Sequence, residues 1–143
     1  MTVADLRRGP LLAGLDEAEL KLVAFLLDAR QLSAEQQVWR EGEPADGLWL
    51  LDEGTLRFES RSEGTLGHTE APACFGAVSL VHDAAREASA YAAGSARALV
   101  LTRTAFAQLL EAAPRTAAHV LAAIAAELGA VLRDGLPFLT AQR

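Results

Sequence analysis

The residues best suited to chemistry lie in one run, CFGAVSLVHDAAREAS, residues 74–89. Gly76 precedes the short apolar segment Val78, Ser79, Leu80, Val81, and Arg86 follows that glycine by ten residues, where a strand is expected to open. A guanidinium presents a planar fork of donors that fits a carboxylate or a phosphate. A glycine lets the backbone approach a ligand closely, and N–H groups that open a helix suit an anion. The run therefore has the outline of an anion cradle.

Other reactive groups do not converge. His68 falls in a turn-rich stretch, His82 in the run above and His119 on a late helix, with no His-x-His pair, so a histidine-rich metal site of the cupin type is not expected. No Ser/His/Asp or Cys/His set is recognisable, which argues against an enzyme. Cys74 is the single cysteine. It excludes an internal disulfide, a cysteine-rich zinc site and an iron–sulfur cluster held by several cysteines, and it is expected to act as a small buried apolar residue rather than a redox sensor.

The elements that must position these groups follow from composition and pattern. With 143 residues, 51% of them hydrophobic and 22% charged, the chain is expected to form one globular domain spanning residues 1–143. Its net charge of −6 disfavours nucleic-acid binding by this chain alone. The N-terminal apolar stretch is interrupted by Asp16, Glu17, Glu19 and Lys21, so no signal peptide is expected and a cytoplasmic location follows. The alanine-rich segment from Thr116 to Leu132 approaches spanning length but carries His119, Glu127 and a helical stripe, so no membrane association is expected.

Three regions separate. Residues 11–29 predict an N-terminal helix: Asp16 and Glu19 stand at capping-box spacing, and Leu15, Leu20, Val23, Leu26 and Leu27 supply an apolar face. Residues 30–103 hold short apolar runs punctuated by EGEPADG, DEG, SEG and AAG, the pattern of an antiparallel sandwich, roll or barrel. Within it GLWLL reads as a strand buried on both faces, and TLRFES places Leu56 and Phe58 opposite Arg57 and Glu59. Residues 104–134 predict two helices. TAFAQLLEAA stops before Pro114, which fits the first turn of the helix it opens, and Gly135 and Pro137 end that second helix. Along it Ala117, Leu121, Ile124, Leu128 and Val131 form a heptad-like seam, which packs on the domain itself or on a second copy.

This order of elements resembles the cyclic-nucleotide-binding domain of Crp/Fnr-type regulators and protein kinase A regulatory subunits, over about Leu11 to Leu136. The resemblance is carried by LLAGLDEAELKLVAFLL, by REGEPADGLWLLDEGTLRF with Gly42 and Gly54 at turn positions, by CFGAVSLVHDAAREASAYAAG and by ALVLTRTAFAQLLEAAP. It implies a mainly β fold, an antiparallel jelly-roll-like β-roll with one N-terminal and two C-terminal helices.

It also implies a phosphate-binding cassette at residues 74–89, formed here by Phe75, Gly76, Ala77, Val78, Ser79, Arg86, Glu87, Ala88 and Ser89. Phe75 and Gly76 match its start, Arg86 its phosphate-binding arginine and Ser89 its serine or threonine. Ala77 stands where the family has a glutamate for the ribose 2′-hydroxyl, and Glu87 where it has a small residue beside the phosphate. Losing a charged acceptor costs about 1.5–3 kcal/mol, roughly ten- to a hundredfold in affinity. A like charge some 5 Å from the phosphate adds about 3 kcal/mol at an effective dielectric near 20.

The resemblance thus implies a regulatory module that binds a cyclic nucleotide, cAMP or cGMP, weakly, or another small anion, between the roll and the long helix, whose movement relays the signal. The alternative is a non-binding module of the same fold used for dimerisation or partner docking, with a homodimer through the 117–131 seam. No helix-turn-helix follows the long helix, so DNA binding by this chain is not expected.

Overall fold

The computed structural model describes residues 11–135, the side chains of Val131 and Asp134 excepted. Helix α1 (Glu17–Leu26) leads into eight strands: β1 (Asp28–Leu32), β2 (Gln37–Trp39), β3 (Gly47–Glu53), β4 (Thr55–Ser60), β5 (Gly64–Glu70), β6 (Ala73–Phe75), β7 (Ser89–Ala92) and β8 (Ala96–Thr102). A short 3-10 helix (Ala77–Leu80) joins β6 to the chain before β7, and α2 (Arg103–Ala112) and α3 (Pro114–Gly135) close the domain. The strands form two four-stranded sheets, ordered β1-β8-β3-β6 and β2-β7-β4-β5, with every pairing antiparallel. Among the described residues this is the expected mainly β jelly-roll-like roll, with one N-terminal and two C-terminal helices.

Strand periodicity explains how one sheet serves two cores. Side chains alternate across a strand, so β8 sends Ala96, Ala98 and Val100 into the roll and Leu99 and Leu101 onto the helices. β3 does the same, with Trp49 and Leu51 inward and Leu48 outward. The run GLWLL is buried on both faces for this reason. Leu56 and Phe58 also share the roll's interior, as their alternation predicts. Gly54 turns β3 into β4 at φ +93°, and a Cβ there would come within 2.7 Å of the Ala96 Cβ.

The helices cover the outer face of the first sheet. Leu15, Leu20 and Val23 of the N-terminal segment pack with Phe106, Leu109, Ala117, Val120 and Ile124 in one cluster. Asp16 caps α1 with the full capping box: its carboxylate accepts from the Glu19 N–H, and Glu19 accepts from the Asp16 N–H. The helix is shorter than the expected 11–29, because the chain is already extended at Leu27 and pairs with β8 from Asp28.

The seam on α3 divides differently from the expectation. Ala117, Val120 and Ile124 face the core, Leu121 is half-buried, and Leu128 is exposed. A straight helix has a period of 3.6, so the stripe that meets the core runs i, i+3, i+7 and takes in Val120. Val131 falls among the undescribed side chains, and Pro137 lies outside the described residues. Among the described residues no helix is long and apolar enough to cross a membrane.

Candidate functional site

Backbone pairing between two loops sets the position of Arg86. The Gly42 N–H donates to Arg86 O at 2.8 Å, the Arg86 N–H donates to Glu43 O at 2.8 Å, and the Ala45 N–H donates to Ala84 O at 2.8 Å. The β2–β3 loop and the segment before β7 thus form a short ladder at the mouth of the roll.

From that ladder the Arg86 side chain enters the domain and is only 8% exposed. Its guanidinium carbon lies 4.0 Å from the centre of the Trp39 ring, and Nη2 donates to Asp46 Oδ1 at 2.8 Å. The same carboxylate oxygen accepts the Trp49 indole N–H at 3.0 Å, which fixes Asp46 in turn. Arg86 Nε is buried without a hydrogen-bond partner. Burial pushes the guanidinium below its usual pKa against the pull of Asp46 and Glu43, yet an arginine remains cationic at physiological pH.

Gly76 adopts the left-handed conformation at φ +76° and opens the 3-10 helix. A Cβ there would lie 2.6 Å from Gly47 O and 2.8 Å from Arg86 Nη1, so both backbone conformation and space demand glycine. Ser79 is buried, and its hydroxyl is shared between Gly76 O at 2.6 Å and Gly47 O at 3.0 Å.

These groups border a cavity of about 320 Å³. Its walls include Trp39, Phe58 and Phe75, whose ring centres lie 5.2–6.3 Å apart. Ala45, Ala84, Ala85 and Ala88 add methyl groups. The Trp39 indole N–H is already committed to Ala88 O at 3.0 Å.

The structure brings most of the nine sequence-predicted residues together. Phe75, Gly76, Val78, Ser79, Arg86, Glu87 and Ala88 line this cavity, with Glu87 exposed on its rim. Ala77 and Ser89 are not in the lining. Ala77 packs against the helix-side core, and the Ser89 hydroxyl accepts the Glu41 N–H at 2.9 Å. The described lining comes from the roll and the cassette, and α3 contributes none of it.

Several participants were not evident from the chain order. Asp46 stands in a turn run, and nothing local marks it as a carboxylate that meets an arginine forty residues later. Trp39, at the end of β2, carries no local signal of its role. Arg103, the first residue of α2, donates from Nε to Ser79 O at 2.8 Å, pairs with Asp83 and uses its N–H on Asp46 O at 3.3 Å. One side chain thus ties the cassette to the start of the helical layer.

The remaining reactive groups are elsewhere. His119 Nδ1 lies 2.7 Å from Glu19 Oε2, which also accepts the Thr116 hydroxyl at 3.1 Å, so α3 is held to α1. Cys74 is half-buried against the helix-side core, and burial, then the Glu127 carboxylate, push its thiol up, away from the reactive thiolate. Among the described residues no group of three or more His, Cys, Asp or Glu is placed to hold a metal ion.

Comparison with known proteins bears on the family and the fold. The chain is 28% identical over 138 residues to an uncharacterized NTE family protein of Mycobacterium tuberculosis, covering 96% of this chain and 23% of that protein. It is 32% identical over 111 residues to a cAMP-dependent protein kinase regulatory subunit of Aspergillus niger, covering 77% of this chain and 27% of the relative. The chain therefore spans about a quarter of the length of these relatives. Among solved structures, the N-terminal domain of a Streptomyces coelicolor transcriptional regulator superposes with a TM-score of 0.79 at 25% identity, over 92% of this chain and 95% of that one. Residues 29–113, more than half of the chain, match the cyclic nucleotide-binding domain, and the protein belongs to that family.

Proposed function

We propose that this chain is a regulatory module that senses a small anion at Arg86 and relays its binding to the C-terminal helices. The observation that carries this reading is a buried guanidinium, fixed by Trp39 and Asp46, that borders a cavity of about 320 Å³. A charge held in that way suits the recognition of an anion. Arg103 supplies the physical link, since it bonds the cassette at Ser79 O and begins the helix that packs on α3. Cyclic nucleotides, cAMP and cGMP, are the ligands the family suggests. Ala77 in place of an acceptor implies weak binding of either.

The reading is regulatory rather than catalytic and rests on the family and on the site's anion-binding chemistry. A cytoplasmic location is part of the same proposal. Calorimetric titration of the protein with cAMP and cGMP, beside Arg86→Ala, tests it. Binding of a nucleotide or another small anion that Arg86→Ala abolishes is the expected result. A folded protein that binds no anion overturns the reading.

A second reading has its own support. Phe25 is 87% exposed on α1, and Leu128 and Leu132 are exposed along the outer part of α3. Self-association through the 117–131 helix would cover part of this surface. A strictly monomeric mass in solution at high concentration counts against it.

A further inference from the structure

We infer that the cavity beside Arg86 is built for a monoanionic aromatic acid, a flat apolar body with a carboxylate head, rather than for a nucleotide. The inference rests on the anion-sensing reading above and names the class of ligand.

The first argument concerns what the walls can recognise. A nucleotide brings ribose hydroxyls and a polar base edge, and each needs a partner once it leaves water. The cassette position next to Gly76 carries Ala77, whose methyl group packs into the helix-side core. The Ser79 proton is held by Gly76 O and Gly47 O, and the Trp39 N–H by Ala88 O. Glu87 is the carboxylate of the lining, and it stands exposed at the rim.

The second argument concerns the surface that is offered instead. Trp39 is covered on its face by the guanidinium, while Phe58 and Phe75 are half-buried and border the cavity. Their rings lie 5.2 Å apart with planes tilted by 55°. An aromatic body gains edge and face contacts with such a pair, and the alanine methyl groups leave room for a flat ring.

The third argument is charge. Arg86 keeps an unpartnered Nε, and a buried donor without an acceptor calls for an explanation. One carboxylate fits a guanidinium fork. Asp46 already contacts the guanidinium, Glu43 acts on it, and Glu87 sits at the rim. Three neighbouring carboxylates disfavour a dianion, so a carboxylate head is preferred over a phosphate monoester.

The test titrates the protein with naphthoate, naphthyl phosphate, the neutral naphthylmethanol, cAMP and cGMP, by calorimetry and by the fluorescence of the neighbouring Trp39 and Trp49. Two variants accompany it: Arg86→Leu, and Ala84→Phe, which adds a ring at the cavity wall and keeps the guanidinium. Thermal unfolding of each variant verifies that it is folded. The expected result is naphthoate binding at least about tenfold tighter than naphthyl phosphate, the alcohol or either nucleotide, lost in both folded variants. If Arg86→Leu fails to fold, Ala84→Phe still decides the site. A nucleotide that binds as tightly as naphthoate or tighter overturns the inference and leaves the anion-sensing reading intact. Equal binding of the alcohol or of naphthyl phosphate also overturns it, as does naphthoate binding that survives Ala84→Phe. No binding of any compound overturns both readings.

Discussion

Asp46 Oδ1 lies 2.8 Å from Arg86 Nη2, across forty residues of sequence, and places a carboxylate on the guanidinium that borders the cavity. The arginine is buried and the aspartate about half exposed, so the pair is neither a surface ion pair of negligible worth nor a fully desolvated one. An incoming anion must share the guanidinium with Asp46 or displace it. Affinity and stability are therefore coupled at this contact.

Asp46→Asn keeps an acceptor for the Trp49 N–H but removes the charge opposite Arg86. Breaking a fully buried pair costs more and an exposed one less. Between those limits, a loss of about 1–3 kcal/mol is expected in urea unfolding. Anion affinity at Arg86, measured by titration, should rise, because the internal competitor is gone.

Gly76→Ala should destabilise the domain by about 1–3 kcal/mol, since it adds a Cβ to a left-handed residue and drives it toward Gly47 O and Arg86. Gly64→Ala is the control. Gly64 has φ +72° but nothing within 4 Å of its Cβ, so only the conformational part of the cost remains there. Thermal unfolding of the two variants should separate them, and equal losses would refute the close-contact argument.

Arg103→Gln removes the charged donor to Ser79 O and the pairing with Asp83. A hydrogen bond from a charged group is worth about 1.5–3 kcal/mol, less here because the side chain is partly exposed, so a loss of roughly 1–2 kcal/mol is expected. Hydrogen exchange should quicken in the 3-10 helix. Ligand-dependent protection of α3 should weaken while ligand affinity is retained. Unchanged protection of α3 would exclude Arg103 as the link.

Glu19 predicts an acid-sensitive joint between α1 and α3. Burial pushes its carboxyl up, but the Asp16 N–H, His119 and Thr116 donate hydrogen bonds that outweigh this and hold it below the ordinary 4.5. A carboxyl whose pKa is lowered by folding adds stability above its unfolded value and loses it as pH falls through the folded one. The stability advantage of the native protein over Glu19→Gln should accordingly be full above about pH 4.5 and fade below it. Urea midpoints of both proteins across that range provide the measurement. A constant difference down to strong acid would show that Glu19 acts through its shape alone.

Much of this architecture was legible in the chain. The alternation in TLRFES, the doubly apolar GLWLL and the turn glycines specified strands, and Asp16 with Glu19 specified where α1 starts. The resemblance implied a cassette at Gly76 and Arg86, and the structure sets both residues on the wall of one cavity. The heptad-like seam misled at Val120 and Leu128, since the helix-side core selects a 3.6-residue stripe and leaves Leu128 exposed.

The sequence by itself determined the elements and their order, set by local conformation and by apolar periodicity. Only the tertiary structure decided what surrounds Arg86. Trp39, Asp46, Phe58 and Arg103 come from four separate segments, and their contacts with the cassette depend on how two sheets and a helix layer close on one another. That closure gave Arg86 a carboxylate partner, an indole face and an aromatic cavity, and turned Ala77 into the core.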